Sequence, residues 1–186
     1  MTSVHLRQFS CASPPGLRCR RITKSPFLKS RLQPGGLRRL TDAPEGPDER
    51  RGFEASLASL AAAVGFVEEF CARRGVERTI ALRMAFIVEE LFTNTVSHGH
   101  RGDCDAPVDI GLALAAEALL LFYEDTAPAY NPLTNFHGEP AGLATTLQMR
   151  PVGGLGAYAI GRMIETARYD HRNGRNCLLL TLPLAA

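Results

Sequence analysis

The chain has 186 residues, 45% hydrophobic and 22% charged, which suits a globular body of one domain with an appendage. No apolar run reaches the ~18 residues of a membrane span, and five cysteines without a C-x-x-C pair exclude a disulfide framework and a four-cysteine zinc site. The net charge of +2 hides an asymmetry: residues 1–40 hold nine Lys/Arg and no acid, whereas the remainder holds twelve basic and nineteen acidic residues, a net charge of −7. An acidic body excludes a nucleic-acid binder, and unpaired cysteines fit a reducing, cytoplasmic setting.

Residues 1–50 carry six of the twelve prolines and little apolar periodicity. Such a segment cannot offset its ordering entropy by burial, so it is expected to be a disordered basic tail. The same composition resembles an organelle transit peptide and also suits anionic surfaces. Residues 51–186 are expected to form the folded domain.

Phe53–Ala55 suits a short strand, and Ser56 a helix N-cap. Leu57, Leu60, Ala61, Val64, Val67 and Phe70 recur at helical spacing, with Gly75 as the stop behind Arg73 and Arg74. A second helix is predicted from Thr79 to His98, ended by Gly99. Val108–Ala115 and Ala118–Asp125 read as two strands joined near Ala116-Glu117. Tyr130–Val152 has Pro, Gly and Asn punctuation and is predicted as a long loop. Gly156–Glu165 reads as a helix, and Ala167–Arg172 and Asn176–Leu182 as a hairpin closed by Asn173-Gly174. This order predicts an α/β (α+β) two-layer sandwich, in which a mixed, mostly antiparallel sheet is covered by helices on one face.

Three features bear on chemistry. Glu90 and Asn94 are four apart on the second helix, with His98 continuing the stripe, while Ala85, Val88, Phe92 and Val96 face the other way toward the core. Unpaired burial of a carboxylate or an amide is costly, so this stripe is either solvated or functional. Asp125 ends an apolar strand, where it can start a turn before Pro128 or accept a hydrogen bond from an exocyclic amine. Gly153-Gly154-Leu155-Gly156 leads into a helix, which lets backbone approach a phosphate or acts as a hinge. His98, His100, Asp103, Cys104 and Asp105 read as a polar connecting loop without zinc spacing.

In this order the three features resemble the GHKL ATPase superfamily, and within it the RsbW-like anti-sigma-factor serine kinases. Asp125-Thr-Ala-Pro-Ala-Tyr-Asn-Pro132, Arg150-Pro-Val-Gly-Gly-Leu-Gly156 and Tyr169-Asp-His-Arg-Asn-Gly-Arg-Asn176 support the likeness, which spans roughly Phe53 to Leu184. The resemblance implies ATP and Mg²⁺ bound between the helix layer and a mobile lid at Pro128–Val152. It makes Glu90 the general base, Asn94 the Mg²⁺ ligand and Asp125 the reader of the adenine amino group, with Ala127 beside the base. Gly153, Gly154, Leu155 and Gly156 lie on the phosphate side. It implies a protein serine/threonine kinase that phosphorylates a STAS-domain anti-anti-sigma partner and sequesters a sigma factor, with a homodimer as the assembly.

Ala127 departs from the family's glycine. Its methyl group lies near the base and disfavours positive φ, which motivates an alternative: a sequestering module that binds a partner, with or without nucleotide, and transfers no phosphate. A histidine kinase catalytic domain would need a phosphoacceptor hairpin and a gyrase-like ATPase a transducer domain, for neither of which the sequence has room.

Overall fold

The computed structural model describes residues 46–136 and 155–185. Most of the expected tail, most of the expected lid, and Gly153 and Gly154 lie outside the described residues. The elements run β1 (Glu49–Glu54), a 3-10 turn (Leu57–Ser59), α1 (Leu60–Arg74), α2 (Arg78–Asn94), a π turn (Thr95–Gly99), β2 (Pro107–Leu114) and β3 (Ala118–Asp125). They continue with α3 (Leu133–Phe136), α4 (Leu155–Met163), β4 (Thr166–Arg172) and β5 (Arg175–Pro183). The strands form one sheet in the order β1-β2-β3-β5-β4. Among the described residues every pairing is antiparallel, in line with the mostly antiparallel sheet expected and without a parallel pair.

Local chemistry sets several boundaries. The Ser56 side chain accepts from the Ala58 amide at 3.2 Å, as an N-cap does, and Asp103 adds a second cap by accepting from the Leu57 amide at 2.8 Å. Asp103 thus has a structural task in a stretch read as a connecting loop. Gly75 ends α1 with φ of 67°, in the left-handed region where glycine carries no Cβ penalty. Glu77 caps α2 by accepting from the Thr79 and Ile80 amides. Asn173 and Gly174 both have positive φ, as the tightest hairpin turns require.

Four expected elements shift. The strand expected at Phe53–Ala55 runs from Glu49, because residues 49–54 pair in full with 107–112 of β2. The division placed between residues 50 and 51 therefore falls inside β1. The second helix stops being α-helical at Asn94 and continues as the π turn, where the His100 amide donates to the Thr95 carbonyl at 2.9 Å. The long loop contains α3, and the third helix is shorter than predicted, at Leu155–Met163.

The core lies between the helices and one face of the sheet. Phe66 and Phe70 of α1 and Ile87, Val88 and Phe92 of α2 pack on Ile110, Leu112, Leu119, Leu121 and Leu180. Phe53 meets Phe92 edge-on, with ring centroids 6.4 Å apart. Truncating a fully buried phenylalanine such as Phe92 costs about 3–5 kcal/mol. The residues predicted to face inward on α2, Ala85, Val88, Phe92 and Val96, are all buried, so the Glu90–Asn94 stripe faces away from this core. Among the described residues no helix is long and apolar enough to cross a membrane.

Candidate functional site

Strand alternation sends consecutive acids at the end of β3 to opposite sides. Glu124 points to the outer face, where Arg50 pairs with it at 3.0 Å and Arg175 at 3.5 Å, and Arg175 also pairs with Asp109. Asp125 points inward, toward the helices. It is 6% exposed, and its carboxylate is held by three donors. Oδ1 accepts from the Asn176 amide at 2.7 Å and from the Ala127 backbone at 2.9 Å, while Oδ2 accepts from the Thr95 hydroxyl at 3.3 Å. A carboxylate offers about four acceptor positions, so one remains on Oδ2. Asp125 therefore starts a turn and also presents an acceptor, which unites the two readings of this residue.

The Thr95 hydroxyl accepts from the Tyr123 phenol at 2.9 Å and passes its own proton toward Asp125. Burial pushes the Tyr123 phenol far above its usual range, and the Asp125 charge adds to this against the Thr95 hydrogen bond. Tyr123 thus stays a donor, and the direction of the chain Tyr123, Thr95, Asp125 is set.

These groups form one end of a cavity of about 740 Å³ between the α2–π-turn segment, α3, α4 and the inner face of the sheet. Of the expected site residues, Glu90, Asn94, Asp125, Ala127, Leu155 and Gly156 all line it. Glu90 and Asn94, half-buried on α2, stand one turn apart on one wall. The Glu90 side chain fills the space a Cβ at Gly156 would take: such an atom would overlap the Glu90 carboxylate and stand 3.0 Å from its Cγ. Only glycine at 156 lets the first turn of α4 come this close to the carboxylate.

At the Asp125 end, a Cβ on Gly99 would sit 2.7 Å from the Ala127 Cβ. One methyl group fits between these two backbones, and Ala127 supplies it. Positive φ is confined, among the described non-glycine residues, to Arg101 and Asn173. Ala127 therefore carries none of the backbone strain expected for an alanine in a glycine position. Arg101, at φ 62°, turns the chain out of the π turn and places a cation on the cavity wall.

The sequence reading missed Thr95, Tyr123 and Asn176. Thr95 looks like an ordinary polar helical residue, and Tyr123 like one more apolar strand position. Asn176 belongs to a motif that had been noticed, but no role attached to it. Asp125 and Asn176 face each other in the β3–β5 register.

The cavity fits a nucleotide with a divalent cation on chemical grounds. Its volume lies within the ~300–1,000 Å³ usual for cofactor sites. Its lining offers a carboxylate acceptor at Asp125, an amide at Asn94 and a helix start at Leu155-Gly156. Residues 53–182 match the family model described as the histidine kinase-like ATPase domain. No curated protein matches the sequence. Among solved structures, the catalytic domain of histidine kinase ThkA, in a nucleotide-free form, aligns at 12% identity over 73% of this chain and 97% of its own, with a TM-score of 0.39. With the family model matching residues 53–182, more than half of the chain, and the sheet and cavity arranged as described, the chain belongs to the histidine kinase-like ATPase family.

Proposed function

We propose that the chain binds ATP with Mg²⁺ in this cavity and phosphorylates a serine or threonine of a protein partner, as an anti-sigma regulatory kinase in a partner-switching circuit. The observation that carries the reading is the apposition of Glu90 and Gly156. A carboxylate stands where the backbone opens at the start of a helix, one turn along α2 from an amide. A pure binding module does not require a base at that point.

Asn94 holds the Mg²⁺ through its amide oxygen, and the metal supplies charge neutralisation on the phosphates. Asp125 reads the base amine with its remaining Oδ2 acceptor. The start of α4 turns its free N–H groups toward the phosphates. Glu90 would accept the hydroxyl proton of the partner as the serine oxygen bonds to the γ-phosphorus of ATP and the bond from that phosphorus to the β,γ-bridging oxygen breaks, with ADP as the leaving group. The partner in this reading is a STAS-domain anti-anti-sigma protein, and the sequestered regulator is a sigma factor bound to a homodimer. Cys71 and Cys177, which form no disulfide, suit a cytoplasmic setting. The unstrained fit of Ala127 against Gly99 supports the catalytic reading over a non-catalytic sequestering module.

The test separates binding from chemistry. Mg-ATP at ~100 times its dissociation constant should stabilise the protein by about 2.7 kcal/mol. Asn94→Ala should lose this Mg-dependent stabilisation and phosphotransfer together. Glu90→Gln keeps the shape and should retain binding while transfer falls ~10²–10⁴-fold. Parental transfer by Glu90→Gln, or no response of the folded parent to millimolar Mg-ATP, refutes the reading.

A further inference from the structure

We propose that Asn176 is the positioning residue of the base pocket: its amide selects the Asp125 oxygen offered to a ligand and ties the 127–130 turn to the sheet. The ligand half of this inference rests on the nucleotide reading above. Asn176 is 7% exposed, and its amide meets partners from three directions. Nδ2 donates to Asp125 Oδ1 at 2.7 Å, to the Ala127 carbonyl at 3.1 Å and, more weakly, to the Pro128 carbonyl at 3.4 Å. Oδ1 accepts from the Tyr169 phenol at 2.8 Å and from the Tyr130 backbone at 3.2 Å.

The partners are sorted by type. Acceptors surround the nitrogen and donors surround the oxygen, so the amide fits in one orientation only. Neither half can be spared. With Asn176 and the Ala127 amide both on Oδ1, that oxygen is saturated, and the remaining acceptor must lie on Oδ2. The β3–β5 ladder holds Asn176 opposite Asp125, so the arrangement is built into the sheet. The same amide grips three residues of the connection leading from β3 toward α3. Order at Asp125 and order in this connection therefore share one group.

A threonine has a single O–H and cannot span these partners. An aspartate has the size but no N–H, and it would set a second carboxylate against Asp125 at hydrogen-bond distance. Two carboxylates this close cannot both stay ionised, and one proton between them restores a hydrogen bond. That consequence gives a readout that packing alone does not produce.

The experiment compares the full-length parent with Asn176→Asp and Asn176→Thr between about pH 8 and pH 5.5, a range that spans the protonation of a raised carboxyl. The first measurement is Mg-ATP affinity, taken as the ratio of variant to parent at each pH. Near pH 8 both variants should bind about 10–100-fold more weakly, as expected for loss of a hydrogen bond to a charged group. The ratio for Asn176→Asp should climb toward one as pH falls, whereas that for Asn176→Thr should stay low. The titratable and charged side chains around this point are Asp125 and Tyr123 on β3, Tyr130 in the connection, Tyr169 and His171 on β4, Glu90 on α2, His98 in the π turn and Arg101 just after it. All are shared with the parent, so the ratio isolates the new carboxyl.

The second measurement is the melting temperature without nucleotide. A carboxyl whose folded pKa is raised binds more protons in the folded state, so stability gains as pH falls. The deficit of Asn176→Asp should therefore shrink on acidification. Parental affinity of Asn176→Asp near pH 8, or a deficit independent of pH, overturns the proposal. If the parent itself binds no Mg-ATP, the nucleotide reading falls. The ligand-free melting profiles then decide the Asn176–Asp125 contact, and a flat difference overturns it.

Discussion

Replacing Gly156 with alanine tests how the cavity is built where α4 meets Glu90. The new Cβ would overlap the Glu90 carboxylate and stand 3.0 Å from Glu90 Cγ, so the side chain must leave its place. The obstacle is the far end of a flexible chain, so Glu90 swings aside at about 0.5–1.5 kcal/mol, the cost of a strained rotamer. Against this, alanine is a better helix former than glycine by up to about 1 kcal/mol, and less than that in the first turn of α4. The two terms nearly cancel, and the melting temperature of Gly156→Ala should stay within ~4 °C of the parent. Function should not be spared: with Glu90 displaced, phosphotransfer should drop by ~10²–10⁴-fold. A double-mutant cycle with Glu90→Ala isolates the steric term by thermal melts alone. In the Glu90→Ala background the overlap is gone, so Gly156→Ala should become stabilising, with a coupling of about 0.5–1.5 kcal/mol between the sites. Strict additivity would refute the apposition of Glu90 and Gly156. Undiminished phosphotransfer by Gly156→Ala would refute the need for Glu90 at that place.

Gly99→Ala should destabilise by about 1–3 kcal/mol through overpacking against Ala127, and adding Ala127→Gly should restore most of the melting temperature, since the pair again holds one methyl. Hydrogen bonds from the Thr79 amide hold the Glu77 carboxyl below its usual range, so its capping contribution is present above the unfolded pKa and lost as pH falls through the folded one. The melting deficit of Glu77→Ala should accordingly shrink as the protein is acidified through the carboxylate range. A deficit unchanged at low pH would contradict a charged cap. Deleting residues 1–45 should leave the cooperative melt and Mg-ATP binding intact, because the first ladder contact among the described residues, from the Asp48 amide to the Leu112 carbonyl at 2.8 Å, lies beyond the cut.

Much of the architecture follows from short-range rules that the sequence by itself carries. Ser56 and Gly75 bound the first helical segment through their own backbone and side-chain chemistry. Asn173-Gly174 closes the last hairpin because both residues tolerate positive φ. Glu90 and Asn94 share a wall because an α-helix brings residues four apart onto one face, and the apolar stripe of α2 decides which side is buried. The family likeness rests on the same local groups, and it located Asp125 and Gly156 as well.

Tertiary structure decided what those groups touch. Asp125 is held by Thr95, 30 residues before it, and by Asn176, 51 residues after it. The second pairing exists because β5, not β4, lies beside β3 in the sheet. No period or turn signal encodes such a contact, since each partner satisfies its local rules equally well elsewhere. The end of α2 shows the same limit. Its composition reads as a plain helix to His98, yet the chain widens into a π turn from Thr95, whose hydroxyl bonds to Tyr123 and Asp125 of β3. The fit of Ala127 was likewise invisible, because the methyl group's room is set by a glycine 28 positions away in the chain, on the π turn packed against it. Hydrogen-bond saturation and the exclusion of one Cβ by another are properties of packed neighbours, and packing is settled only when the layers close.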